Sequence, residues 1–314
     1  VVKALARRLG LGAAMLRLRR AYRFGLRAEA STWLAKRRWL KAAHLPPLSG
    51  AEGPADCFML LNQPRLWEGV WSLHTFRRQF GPCRLVVLND GSLTQSGVRT
   101  LERLFPGICI PEVSANDRRV DAWLEASDLP LCREWRRRFV FFRKLIDPLL
   151  LARSDRIVLL DSDMLHFRPP AAVQDWARGP DAFRFIADGA RHSYCAPEPR
   201  LREICGAPLP EYFCAGYLCL PRGAVDLGRI ERYLAADVFE LQLRTGRFSH
   251  VAEQTLYAME AARFGAQALP PSYATCPDPF HEAPVMGHFC GGDVSRYRLY
   301  TRGLPFVSAG APPA

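Results

Sequence analysis

The chain has no run of apolar residues approaching the roughly 18–20 that a membrane-crossing helix needs. A secretory pattern is also missing at the N-terminus, because arginine interrupts each apolar stretch before a hydrophobic region can form. A cytoplasmic location is therefore expected. Ten cysteines occur without a single CxxC pair, and none stands near histidine at zinc-finger spacing, which argues against a structural zinc site. Cys57 in DCFMLL and Cys219 in YLCLP lie inside apolar, strand-like runs, where a thiol behaves as a small hydrophobe. Reduced thiols are expected. Internal repeats are absent, and only the tail, 308–314, is low in complexity and expected to be disordered.

Acidic side chains are scarce in one place only. Residues 1–44 hold twelve of the 43 Lys and Arg but a single acid, Glu29, so the remaining 270 residues carry 31 bases against 30 acids. The net charge of +12 thus belongs to an arm, and the near-neutral body lacks the basic stripe that nucleic-acid binding requires. Within the arm, Leu5, Leu9, Leu16, Trp33, Leu34, Trp39 and Leu40 interleave with Arg and Lys at helical spacing. A basic amphipathic helix of this kind suits an anionic membrane surface, and packs equally well on a domain with its basic face solvated. Residues 45–55, rich in Pro and Gly, read as a linker.

From residue 56 to 307 short apolar runs alternate with helical patterns. CFMLLN, CRLVVLND, GICIPEV and RIVLLD read as strands, and helices are expected over 65–80, 94–105 and 135–151. Further strands are expected at 183–187 and 217–220, with helices at 224–243 and 251–264. A βαβα order of this kind gives an α/β domain with helices on both faces of its sheet, and such sheets bind ligands beyond the carboxyl ends of their strands.

Two carboxylates, Asp161 and Asp163, follow RIVLL directly. At i and i+2 on an extended turn their oxygens can converge on one hard divalent cation. Manganese or magnesium held there would neutralise the diphosphate of a nucleotide sugar and ease its departure. Asp at a strand end also serves as an ordinary turn residue, so the pair gains weight from its position.

The run FRKLIDPLLLARSDRIVLLDSDMLHFRPP resembles the core of the GT-A glycosyltransferases and is similar in particular to glycosyltransferase family 8. Those enzymes place a helix carrying a basic residue before a strand ending in DxD. Downstream, YFCAGYLCL, HVAEQTLY and VMGHFCGGDVSRY resemble, in order, the family's acceptor-side strand, its D-Q helix start and the loop whose His is a third metal ligand. The likeness spans roughly residues 56–300. It implies a GT-A fold with a Rossmann-like mixed sheet and flanking helices, preceded here by the basic arm. The implied activity is metal-dependent transfer of a sugar from a nucleoside diphosphate, UDP as the expected nucleotide, to a hydroxyl acceptor. Cys214 stands where the family has Asn, Arg296 where it has Lys, and no Trp follows, so the sugar and the stereochemistry are not inherited with the fold.

The expected site follows from these matches. Asp161, Asp163 and His288 would hold the metal, with His166 a weaker histidine candidate. Arg296, Lys144, Asn62, Gln63, Asp90 and Gly216 are expected on the donor. Gln254 would face the anomeric carbon if configuration is retained, as in family 8, and retention is favoured. An inverting reaction needs a carboxylate base, for which Glu253 and Asp188 are the candidates. The acceptor is expected to be a glycan or lipid, with the enzyme peripheral on the inner face of a membrane. Two other readings are a haloacid-dehalogenase-type phosphohydrolase, which also uses an Asp-x-Asp after a strand, and a GT-A-like binding protein without activity.

Overall fold

In strand β1 (Asp56–Leu61) Cys57, Met59 and Leu61 enter one apolar cluster while Phe58 enters another, so this strand is buried on both faces. This is the pattern of a central strand in a sheet covered by helices on either side. The computed structural model describes residues 45–50, 52–191, 193–246, 249–275, 284–290 and 293–308, with positions 22, 25, 26, 30, 32–34 and 37 of the arm. The expected arm helix and the tail otherwise lie outside the described residues. Among the described residues no helix is long and apolar enough to cross a membrane.

After β1 come helix α1 (Leu66–Phe80), β2 (Arg84–Asn89) and α2 (Gln95–Leu104), close to expectation. Helices α3 (Val113–Ala126), α4 (Pro130–Arg138) and α5 (Phe142–Leu151) lead to β3 (Arg156–Leu160), with a short β4 (Met164–His166) just beyond. Then follow α6 (Ala171–Arg178), β5 (Arg184–Ala187), α7 (Glu198–Cys205) and β6 (Phe213–Pro221). The chain continues through α8 (Leu227–Leu234), α9 (Asp237–Thr245), α10 (Ser249–Phe264), β7 (Gln267–Ala268), β8 (Tyr273–Thr275), β9 (Met286–His288) and α11 (Asp293–Arg298).

The main sheet has the order β2-β1-β3-β6-β5-β7, and a second, small sheet the order β4-β9-β8. β1 pairs in parallel with β2 and β3, whereas β6 runs antiparallel to both β3 and β5. The sheet is therefore mixed, with β6 reversed against its neighbours. One apolar core lies under α3, α4, α5 and α10, and the other under α1, α2 and α6. A third cluster, of Trp71, Leu165, Phe167, Phe289, Leu299, Tyr300 and Leu304, fastens the small sheet to α1 and the C-terminal turns.

Three expected elements differ. GICIPEV contributes only a bridge, Cys109 with Val86, because Pro111 has no N–H to extend a ladder and the Glu112 carboxylate accepts from the N–H groups of Ser114 and Ala115, starting α3. The single helix expected over 135–151 is two. Arg136 donates from Nε to Asp147 Oδ1 at 2.6 Å and from Nη2 to Oδ2 at 2.9 Å, while a straight helix would separate residues eleven apart by roughly 16 Å. Asn116 and Asp117 complete this buried network, which fixes α3, α4 and α5 together. The helix expected over 224–243 is likewise interrupted. Asp226 caps α8 by accepting from Arg229 N, and Ala236 in extended conformation starts α9.

Candidate active site

The parallel strands end on one rim, and the site lies there. Strand β3 terminates as Leu160 pairs with Tyr217, and the next N–H, of Asp161, donates to Gly216 O at 2.9 Å. The turn is pinned at its other end by Phe289 N donating to Asp163 O at 2.8 Å, and Ser72 Oγ donates to Asp161 O at 2.9 Å. Both carboxylates are thus presented by a backbone that has no freedom to retract. Strand β9 pairs antiparallel with β4, placing His288 opposite Met164 and bringing its ring to the same turn.

His288 Nε2 lies 3.2 Å from Asp163 Oδ1 and 3.7 Å from Asp161 Oδ2. These three side chains offer ligand atoms within 4.8 Å of one another, the one such group among the described residues. Nε2 is buried and makes no hydrogen bond of good geometry. An imidazole nitrogen facing two carboxylates is the donor set of a hard or borderline divalent cation, so the residues fit manganese or magnesium.

Gly216 explains how the ring gets so close. A Cβ at this position would sit 2.2 Å from His288 Cε1 and 2.7 Å from Nδ1, so only glycine lets the ring lie against the backbone of β6. On its far side, His288 Nδ1 is 3.5 Å from Cys214 Sγ. Burial alone would lower the imidazole's pKa, but Cys214 and Asp163 outweigh it and hold His288 well above its ordinary value. The hydrogen bond with Cys290, helped by His288 and opposed by burial, brings Cys214 down to about 5. Burial would raise Asp163, yet His288 and Arg65 hold it below the usual carboxylate range.

Beneath Asp161 lies a buried cation. Lys144 on α5 donates to Asp161 Oδ1 and to Ala215 O, both at 2.7 Å, and stands 3.7 Å from Glu253 Oε1. Burial opposes its charge, and Asp161 with Glu253 more than restores it, so the ammonium is held well above its ordinary value. Burial, reinforced by Asp161 and resisted by Lys144, pushes Glu253 up to about 7. Gln254 accepts from Ala215 N at 3.0 Å and donates to Ser193 O at 2.8 Å, so its amide is fixed against β6 beside Gly216.

The other expected residues gather less tightly. Asn62 accepts from Arg65 N, Gln63 from Thr94 N and Asp90 from Ser92 N, so all three tie down the loops after β1 and β2 at the same rim. Asp188 follows β5 and accepts from Gly189 N at 2.7 Å. Arg296 lies on α11 with its Nε buried and without a hydrogen-bond partner. Arg143, beside Lys144 in sequence, turns instead to Asp117. His166 is away from the carboxylates, packed between Phe76 and Tyr217 at centroid distances of 5.2 and 5.4 Å. Sequence reasoning missed Arg65, whose charge acts on Asp163. Its place just beyond the end of β1 was the available signal. The approach of Cys214 to His288 was not legible in local pattern, since 74 residues separate the two.

No protein-family profile and no curated protein matches the chain. Solved structures do. The glycosyltransferase GlyE of Streptococcus pneumoniae is similar over 81% of this chain and 62% of its own, under two thirds of its length, at 11% identity and a TM-score of 0.50. Mouse xyloside xylosyltransferase 1 is similar over 82% of this chain and 94% of its own, at 12% identity and a TM-score of 0.48. The galactosyltransferase LgtC, solved with donor and acceptor sugar analogues, matches over 82% and 97% at 14% identity and a TM-score of 0.46. At such low identity the likeness to GlyE speaks for the architecture alone: the chain has the GT-A fold.

Proposed function

We propose that the protein is a metal-dependent glycosyltransferase that moves a sugar from a nucleoside diphosphate, UDP as the expected nucleotide, to a hydroxyl acceptor. The observation that carries this is the convergence of Asp161, Asp163 and Nε2 of His288 at the carboxyl end of β3 in a GT-A fold. Manganese or magnesium bound there would supply Lewis-acid neutralisation of the donor's diphosphate. The haloacid-dehalogenase reading has no comparable support, since the chain has the GT-A fold.

The chain's own groups have distinct tasks in this reading. Lys144 holds Asp161 by Oδ1 and leaves Oδ2 on the His288 side. Arg65 and Arg296 receive the departing diphosphate, a role suited to guanidinium. Asn62, Gln63 and Asp90 shape the loops that accept the base and ribose. Gln254, held at both ends of its amide, faces the sugar and stabilises the cationic character that develops at the anomeric carbon. Retention is favoured over inversion by the resemblance to family 8, and because Glu253 is buried against Lys144, which removes it from an acceptor hydroxyl. The acceptor is a glycan or a lipid, and the basic arm suits it to an anionic membrane surface.

Calorimetric titration of UDP and other nucleoside diphosphates, with and without Mn²⁺, tests the central claim. Binding is expected only with metal, and Asp163→Ala should abolish it. Metal-independent binding, or an Asp163→Ala variant that binds as the wild type does, would sink the proposal. A hydrolysis screen across nucleotide sugars would then identify the donor.

A further inference from the structure

We propose that Cys214 is the positioning residue of His288: it takes the hydrogen on Nδ1 and so leaves Nε2 bare toward Asp161 and Asp163. The inference rests on the metal site proposed above and adds to it the group that fixes the histidine's tautomer. The ring has little choice of position, because it lies against the backbone of Gly216 where even a methyl group would collide with it. Its two nitrogens therefore face different partners. Nε2 faces the carboxylates at 3.2 and 3.7 Å, and Nδ1 faces Cys214 Sγ at 3.5 Å. Which nitrogen carries the hydrogen decides whether the metal side offers a lone pair or an N–H.

Two observations choose between the tautomers. Cys214 Sγ already accepts from Gly216 N at 3.4 Å, a backbone donor that cannot reverse its role, and the Cys290 thiol is hydrogen-bonded to the same sulfur. The sulfur is thus built as an acceptor, and Nδ1–H is the partner it lacks. On the other side, Nε2 lies 3.2 Å from Asp163 Oδ1 without the alignment of a well-formed hydrogen bond, so the ring's better-aligned contact is the one to sulfur. Both ends of the ring therefore point to Nδ1–H donating to sulfur. A metal-binding histidine held this way is a better ligand, because its outer partner both orients the ring and strengthens its basicity.

Nitrogen-15 NMR of histidine-labelled, metal-free protein, recorded at a pH above the raised pKa of His288 so that the ring is neutral, reads the tautomer directly, with the His288 signals assigned by a His288→Gln variant. Nδ1 is expected to be protonated in the wild type. A bare Nδ1 overturns the inference, and this holds whether or not the protein proves to bind metal. Cys214→Ala should move the hydrogen to Nε2, whereas Cys214→Ser, which keeps an acceptor in place, should retain it on Nδ1. Mn²⁺ affinity, followed by electron paramagnetic resonance, should fall about tenfold or more in Cys214→Ala and stay within a few-fold in Cys214→Ser. An alanine variant with the tautomer and affinity of the wild type would remove Cys214 from the site.

Discussion

His166 and His288 stand on the same two-stranded ladder of the small sheet, one opposite Met286 and the other opposite Met164, and both are buried. Residues two apart on a strand share a face, so both rings look toward β6. There the resemblance ends. His166 meets the rings of Tyr217 and Phe76, with neither nitrogen partnered, and burial alone drives its pKa down to about 3. His288 meets Gly216, the next residue of β6, and finds a thiol on one side and two carboxylates on the other. Its pKa moves the opposite way. Burial by itself makes an imidazole a neutral filler, whereas facing anionic groups favour positive charge at the ring, which a metal ion would supply in the proton's place.

The largest consequence should appear in acid. The folded pKa of His166, about 3, lies below the 6.5 of a free imidazole, so the unfolded chain binds a proton that the folded one refuses. Its contribution is complete above pH 6.5 and is lost as pH falls toward 3. Urea unfolding followed by circular dichroism should then show a loss of about 1.4 kcal/mol per pH unit from this group. His166→Phe should remove that part of the slope and leave Mn²⁺ binding as it was. If the slope persists, His166 is not the neutral filler described. Next in size, His288→Ala should weaken Mn²⁺ by more than about 100-fold, beyond what the loss of an outer partner costs. A variant that binds within a few-fold of wild type would erase the distinction between the two histidines. Smallest of the three is Gly216→Ala, where the new methyl must displace the His288 ring. Mn²⁺ affinity is expected to drop about tenfold, of the order seen when a ligand's support is disturbed. Thermal unfolding should register about 1–3 kcal/mol of overpacking. Unchanged metal affinity would mean that the ring's seat on β6 is not what positions it.

Much of the domain was legible from local pattern. RIVLL, CFMLL and RLVVLN are continuous apolar runs bounded by polar residues, and such runs in a covered sheet have few other uses. The Asp-Ser-Asp turn could be located because a ligand rim is where parallel strands end. Breaks in helices were harder to see. Arg136 and Asp147 lie in a sequence with good helical spacing throughout, and only their long-range pairing with Asn116 and Asp117 requires the chain to turn between them. GICIPEV has the composition of a strand, yet Glu112 spends its carboxylate on a helix start.

The sequence by itself determined the α/β alternation, the concentration of the net positive charge in residues 1–44 and the identity of the two aspartates, because each follows from neighbours a few residues apart. Which histidine joins them was indicated in the sequence only by resemblance, and the tertiary structure gives the physical reason. His166 is three residues from Asp163 and His288 is 125 away, but antiparallel pairing of β9 with β4 and the missing side chain at Gly216 bring the distant ring to the turn. It also decided that Lys144 lies buried beneath Asp161 rather than solvated on a helix, and that Cys214 backs the ring. These are contacts between strands and helices remote in the chain, set by register and close approach, and neither is written in local periodicity.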